Sequence, residues 1–538
     1  MRASAEKGRP FGGRRPRDGR LPLRGVLPIP FGTMAEEGEG AKAPAGTGLR
    51  LAAAWAELRR SLSQAGPLVA GRAATAAAGL LVPVLLARIL VQSEFGSYKQ
   101  LFLVATTAYG LLNFGMYQSL YYFIPREPEH VRPFLAHALL YLTAIGLLVA
   151  VAIFALARPL SGFMHDPEIL RCALPLALYV GFYSASIPLE HGLVARGRIG
   201  SGGLAYVVSE GLRIVVQVGA AKLSGTVLAL VWASAGFAAA RAVLAWVINV
   251  GALRGRIFSG PIFRRQWSYC LPFGAAAILM IPQQSFHLYA VSASFDTAAF
   301  ALYAVGSLQL PIVDLLYTPM SDLMILSIGN AERAGRLAEG ARSFRDTVGR
   351  LGFFFFPAAA ALAALARPFL DWIFTSRYGA AAPIFRISVV ALPLAAFPVE
   401  GVLRAMARKR FFFWAQVGRL GLTAALVLLG IRLLGLEGAI LGHVLAQATL
   451  TAILLWESGR ALQTPLAALL PWRQLAAEAL SAVAGGLAAL GVAGQLGSRP
   501  VIRFAGGAAA FTVAWLGVTL LTWAGSRSPQ AARAATAS

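Results

Sequence analysis

Apolar residues run along this chain in blocks of about twenty, separated by short polar or basic turns. The blocks are continuous and do not alternate apolar with polar positions, which points to membrane helices and away from a β-barrel. About fourteen blocks can be drawn, near 66–90, 98–123, 133–157, 170–190, 199–222, 226–250, 267–291, 298–325, 347–371, 383–404, 411–434, 438–460, 474–496 and 501–524. The pattern predicts an all-α polytopic membrane protein with about 14 transmembrane helices. Before the first block, residues 1–50 lack periodicity and are expected to be a disordered basic extension. Met34 opens a more ordinary start, and the residues before it contain no apolar signal-peptide core. Leu51, Trp55, Leu58 and Leu62 then recur at helical spacing and predict an amphipathic interfacial helix over 51–65. Residues 525–538 read as a disordered tail.

One stretch occurs twice. Ala155-Leu156-Ala157-Arg158-Pro159, Pro188-Leu189-Glu190 and Arg196-Gly197-Arg198 reappear, in the same order, as Ala364-Leu365-Ala366-Arg367-Pro368, Pro398-Val399-Glu400 and Arg408-Lys409-Arg410. Trp246 and Trp456 end the sixth and twelfth blocks at matching places. The repeat predicts two pseudo-symmetric six-helix lobes, 66–250 and 267–460, running the same way through the membrane. Blocks 474–524 have no counterpart and are expected to be two added C-terminal helices.

Composition agrees: 57% of the 538 residues are hydrophobic and 13% charged, with mean hydropathy +0.65. The net charge of +24 would suggest nucleic acid in a soluble protein, but here it lies in the N-terminal extension and the short turns. No basic domain with interleaved aromatics stands apart, so no nucleic-acid partner is expected. Turns after even-numbered spans hold about 19 Lys and Arg against about 10 after odd-numbered ones, which places the even turns and both termini in the cytoplasm. Cys172 and Cys270 lie in apolar spans, form no ligand cluster and read as packing residues.

Charge at membrane depth is costly and marks a cavity or pathway. Arg72, Arg213, Arg241 and Arg419 are the candidates for a cationic cavity, Arg419 being taken as the repeat equivalent of Arg213. Guanidinium groups there suit phosphate, which they bind through several donors. Glu210 sits one turn before Arg213 on the same face. Gln283, Gln284, His287, Asp314, Asp322 and His443, with Gln447 beside it, are the further polar candidates for coupling or for lining the cavity. Asp314 lies between Pro311 and Pro319, and Pro188 and Pro398 match between the halves; these four prolines are the hinge candidates. Glu190 and Glu400 are expected to pair with the arginines next to them in sequence. No metal site and no cofactor are expected, though a proton or sodium gradient could drive the cycle.

Three segments resemble a known family: Glu94-Phe95-Gly96-Ser97-Tyr98, then Asn113-Phe114-Gly115-Met116-Tyr117-Gln118-Ser119-Leu120, then Phe123-Ile124-Pro125-Arg126. They resemble bacterial polysaccharide flippases of the O-antigen type, in the multidrug/oligosaccharidyl-lipid/polysaccharide exporter superfamily. Asp296-Thr297-Ala298-Ala299-Phe300-Ala301-Leu302-Tyr303 is a degenerate echo in the second half. The resemblance implies a two-lobed transporter of the bacterial cytoplasmic membrane that alternates access around a central cavity. Its implied cargo is a sugar chain on an undecaprenyl-type lipid diphosphate, with polysaccharide polymerase and glycosyltransferases as potential partners and membrane lipids around it. Family members often carry a basic residue near the end of span two, where this chain has Tyr121 and Tyr122; these could stack on or hydrogen-bond a sugar.

Other functions fit less well. A cation-coupled multidrug exporter would want an acidic cavity. A peptidoglycan-precursor flippase would share the basic one. A membrane polysaccharide polymerase or ligase would need a large external loop, and the longest connecting stretch, near 326–346, is about 20 residues of mixed charge. There is no Gly-x-x-x-x-Gly-Lys-Ser/Thr motif for ATP, and no enzyme activity is expected.

Overall fold

The computed structural model describes residues 47–251, 253–497 and 499–535, with the side chains of 47–65, Ile312, Asp314, Lys409 and 523–535 outside that set. The disordered extension expected over 1–50, the start at Met34 and the apolar face expected over 51–65 therefore fall almost wholly outside the described residues. The chain divides at Arg59, and the unit Arg60–Ser538 carries everything that follows.

All described regular structure is helical. The first lobe comprises α1 (Thr47–Ile89), α2 (Gln92–Leu112), α3 (Met116–Phe123), α4 (Val131–Ala155), the short loop helices α5 (Ala157–Phe163) and α6 (Glu168–Arg171), α7 (Ala173–Ser186), α8 (Pro188–Ala195), α9 (Ile199–Ser224) and α10 (Val227–Trp246). The second comprises α11 (Gly260–Ser292), α12 (Thr297–Gly306), α13 (Ile312–Arg333), α14 (Leu337–Ala364), the loop helix α15 (Ala366–Ile373), α16 (Ala382–Val390), α17 (Val399–Ala405) and α18 (Lys409–Ala461). After the short α19 (Leu466–Leu469), α20 (Trp472–Gln495) and α21 (Pro500–Ala535) pair with each other, and α20 packs on α14. Helical backbone thus continues through Ala535, into the stretch expected to be a tail. Nine described helices are long and apolar enough to cross a bilayer unaided.

Several predicted spans are two helices in line. Span two breaks between α2 and α3, where Phe114 and Gly115 take φ of +47° and +68°. The Asn113 side chain holds the break by accepting the Gly115 N–H at 2.8 Å. Phe114 turns out against α11, stacking on Trp267 with centroids 5.5 Å apart. A Cβ on Gly274 would sit 1.8 Å from the Phe114 ring, so only glycine admits it there. Span eight is interrupted between Gly306 and Ile312; Pro311 forms the N-cap of α13, while Pro319 lies inside that helix. Pro188 and Pro398 occupy matching breaks, at the start of α8 and just before α17. Spans eleven and twelve are the arms of α18, which reverses at Gly435 (φ +62°).

The two halves share a turn at matching positions. The Arg198 N–H donates to the Leu193 carbonyl at 3.1 Å, and the Arg408 N–H donates to that of Leu403 at 3.0 Å. Gly197 and Ala407 fill the left-handed position of this turn, at φ +78° and +51°. One constant step relates Glu190 to Glu400, Gly197 to Ala407 and Trp246 to Trp456. The same step takes Arg419 to Ser209, not to Arg213 as the sequence alone suggested.

The lobes join tightly at the end opposite the basic turns. One apolar cluster there includes Leu86, Leu90, Phe95 and Leu101 of the first lobe with Phe300, Tyr303, Phe374 and Tyr378 of the second. Phe95 meets Tyr378 edge-on at 5.6 Å. Two arginines bridge the lobes reciprocally. Arg88, near the end of α1, donates to the carbonyls of Trp372 and Ile373 at the end of α15. Arg377 returns the contact, donating to Leu90, Ala87 and Arg88 carbonyls at 3.3–3.4 Å. Each guanidinium thus caps the negative end of the other lobe's helix. Acidic residues of the same end cap helices too: Glu94 accepts from the Val227 N–H and Asp296 from the Ala299 N–H, both at 2.8 Å.

Gly96 sets how closely α2 and α12 approach, since a Cβ there would lie 1.9 Å from the Thr297 carbonyl oxygen. Gly96→Val is therefore expected to destabilise the joined lobes by about 1–3 kcal/mol, the usual scale of overpacking. Thermal unfolding of the detergent-solubilised protein should show a lower midpoint; an unchanged midpoint would mean the contact is not tight.

Candidate substrate cavity

A cavity of about 510 Å³ lies between the lobes, below the joined end. Val82 and Pro83 of α1, Tyr98, Lys99 and Phe102 of α2 and Arg213 of α9 form its first wall. Gln284, His287 and Leu288 of α11, Phe300 of α12 and the broken segment Ser307–Gln309 form the second. The break in span eight matters here, because irregular backbone at this depth is tolerated where it lines a cavity. The wall behind α2 is aromatic: Tyr98, Phe102, Tyr179, Tyr183 and Tyr109 follow one another at centroid distances of 4.8–5.5 Å.

The four candidate arginines do not converge. Arg213 lines the cavity, and its guanidinium binds Glu210 at 2.6 and 2.8 Å. Arg241 is buried away from it in a two-pronged pair with Glu190, at 3.0 and 3.1 Å. Ser209 donates a further 2.9 Å bond to the same carboxylate. Glu190 therefore pairs across helices with Arg241 and not with the arginines next to it in sequence; Arg196 instead bonds Asn249 at 2.8 Å. Glu400 does keep its local partner, Arg404, at 3.0 Å. Arg419 lies within electrostatic reach of Glu400 and His443 and has no carboxylate within ion-pair distance among the described residues. Arg72 is exposed on α1, nearer the basic end.

Lys99 is the cation that sequence reading missed. It stands at the edge of span two, beside the turn, where its charge reads as one of the loop cations. The structure turns it into the cavity, with no carboxylate within ion-pair distance among the described residues. Its signal in the sequence was a lone lysine five residues after Glu94, already inside an apolar block.

Some polar candidates of the second lobe fall into two separate groups. Gln283 donates to the Gln416 carbonyl at 2.5 Å, and Gln416 donates to Glu400 at 3.2 Å. His287 shares a 2.6 Å hydrogen bond with the Tyr303 hydroxyl, and its ring lies 4.2 Å from that of His443. The His443 Nδ1 is buried with no hydrogen-bond partner among the described residues. Asp322 is exposed on α13, and the Asp314 side chain lies outside the described residues.

Breaking the Glu190–Arg241 pair from one side would strand a buried cation. Glu190→Gln is expected to cost about 3–5 kcal/mol of stability, and the Glu190→Gln/Arg241→Met double variant to recover most of it. Thermal unfolding of the purified variants checks this; a mild Glu190→Gln would mean that water reaches the pair.

No curated protein matches the sequence. Among solved structures, the chain is similar to lipid II flippase MurJ in an inward closed conformation, with TM-score 0.68 and 14% identity over 86% of this chain and 99% of that one. It is similar to an inward-facing multidrug resistance MATE family transporter of the MOP superfamily, with TM-score 0.58 and 15% identity over 74% of this chain and 94% of that one. A MOP superfamily transporter from Pyrococcus furiosus matches with TM-score 0.52 and 15% identity over 75% and 96% of the two chains. These likenesses give the fold. The family of polysaccharide biosynthesis proteins matches over residues 85–383, more than half of the chain. The structural neighbours are a flippase and transporters. With that match, the chain belongs to the polysaccharide biosynthesis protein family, and it carries the fold of lipid II flippase MurJ and the MATE transporters.

Proposed function

We propose that the chain moves a lipid-linked oligosaccharide of the undecaprenyl-diphosphate type from the cytoplasmic to the outer leaflet of the bacterial inner membrane, for polysaccharide export. The observation that carries this reading is the cavity's charge. Lys99 and Arg213 line it, and no carboxylate does so among the described residues. Such a wall attracts an anion, and a diphosphate offers both cations several oxygen acceptors. A cationic drug would be repelled, which sets the multidrug-exporter reading behind. The excess of Lys and Arg in the even-numbered turns supports an orientation with the open ends of the lobes and both termini in the cytoplasm and the arginine-bridged end outside. Cargo would load from the cytoplasmic side, and release would require the Arg88 and Arg377 contacts to part.

The breaks at Pro188, Pro398 and 307–311 are where the lobes can bend during that exchange. A proton or sodium gradient would supply the driving force, and the paired rings of His287 and His443 are a candidate place for a proton. Glycosyltransferases would supply the cargo, and a polymerase would receive it.

In a deletion strain complemented with variants, Lys99→Gln is expected to cut surface polysaccharide at least about tenfold, a loss of about 1.4 kcal/mol or more in cargo binding. The complete lipid-linked glycan should accumulate on the cytoplasmic leaflet, and Lys99→Arg should export normally. Normal export by Lys99→Gln, with new sensitivity to cationic drugs on deletion, would favour the drug exporter. A second test uses an impermeant thiol reagent on whole cells carrying Gln284→Cys. Adding Arg88→Ala and Arg377→Ala should raise labelling severalfold; unchanged labelling would show that the arginines do not seal the outer end.

A further inference from the structure

We propose that the first lobe carries a second seat, for a sugar ring, built from Tyr117, Tyr121, His191, Tyr206 and Arg72. Four helices bring these residues together: α1, α3, α8 and α9. The His191 Nδ1–H donates to the Ile187 carbonyl at 2.8 Å, an oxygen that can only accept. The proton is therefore on Nδ1, and Nε2 accepts from the Tyr206 hydroxyl at 3.2 Å. The Tyr117 ring meets the imidazole edge-on at 4.4 Å, and the Tyr121 ring lies 6.0 Å from it. Gly71 lets Tyr206 approach, since a Cβ there would be 2.8 Å from the Tyr206 Cβ. His191 thus fixes a fan of tyrosine rings. The outermost, Tyr121, is 40% exposed, and Arg72 is exposed beside the group, within electrostatic reach of Tyr121.

The chemistry fits a pyranose. Such a ring has a flat C–H face that lies on an aromatic ring and a rim of hydroxyls that needs donors and acceptors. Lone tyrosines near a membrane surface serve as lipid-headgroup anchors. These are not lone: a half-buried hydrogen bond and the contacts of the Tyr117, Tyr121 and Tyr206 rings with His191 hold them in one arrangement. An exposed guanidinium beside them, on a spanning helix, faces water or cargo in preference to hydrocarbon.

The position fits the cargo proposed above, on which this inference rests. Tyr206 precedes Arg213 by seven residues on α9, about 10 Å along the axis. Arg72 precedes the cavity residue Ala78 by six on α1, about 9 Å. Both offsets run toward the basic end. A diphosphate held at Lys99 and Arg213 would direct its attached sugar toward the tyrosines.

The test measures equilibrium binding to the purified full chain in nanodiscs with two probes, undecaprenyl diphosphate and undecaprenyl diphosphate carrying one glucose. The wild type should bind the sugar-bearing lipid about tenfold more tightly. Tyr121→Ala should erase that difference while leaving the bare lipid's affinity unchanged, and Tyr121→Phe should keep it. Lys99→Gln should weaken both probes. Equal wild-type affinity for the two probes would overturn the sugar seat and leave the diphosphate reading standing, as would a Tyr121→Ala variant that weakens both alike. Binding of neither probe would overturn both.

Discussion

A charge at membrane depth must have a counter-charge or face water, and the interior of this protein is arranged around that requirement. Arg241 and Glu190 solve it by burial together, with Ser209 satisfying the carboxylate further. Arg213 and Glu210 solve it at the cavity's edge, within one helix. Lys99 faces the cavity with no carboxylate at hand among the described residues, so its partner must be solvent or cargo. A transporter of anions needs such a group, because it keeps its full attraction for cargo, while Arg213 adds the guanidinium donors that Glu210 leaves free.

The second constraint is close approach. Gly96, Gly274 and Gly71 each mark a place where backbone or ring comes within a distance that no side chain permits. At the joined end this brings α2 and α12 together and lets the aromatic residues of both lobes share one apolar cluster. The reciprocal arginines then act on helix ends, whose carbonyls have no partner within their own helix. Such contacts are specific but few, and a few hydrogen bonds to carbonyl groups can be exchanged for water when the lobes part.

The duplication is visible in the backbone and has diverged in its chemistry. Matching turns at Gly197 and Ala407 keep the two halves in register, and Glu190 and Glu400 occupy the same place in each. Beyond those turns the lobes differ. Ser209 serves the carboxylate of the first lobe, while Arg419 stands at the corresponding position of the second. The first lobe holds its carboxylate with a distant arginine, and the second uses the local Arg404 and Gln416. The aromatic fan around His191 belongs to the first lobe; at the place of Tyr206 the second lobe has Gln416.

Much was legible in the sequence because hydrocarbon imposes a simple rule: a spanning segment must be apolar, helical and about twenty residues long. The helical class, the order of the elements, the two halves and the local pair of Arg213 with Glu210 all follow from spacing along one chain. The break in span eight was only partly visible, since a proline shows where a helix can bend and not whether it ends, and the break in span two, at Asn113–Gly115, has no proline to mark it. What the sequence could not supply was which helix faces which. Arg241 found Glu190 across helices, Arg419 fell one turn away from the place inferred for it, and Lys99 turned inward to the cavity. A helix presents several faces and the sequence does not say which of them meets water; packing between helices makes that choice, and with it decides which charges are held inside and which are left for cargo.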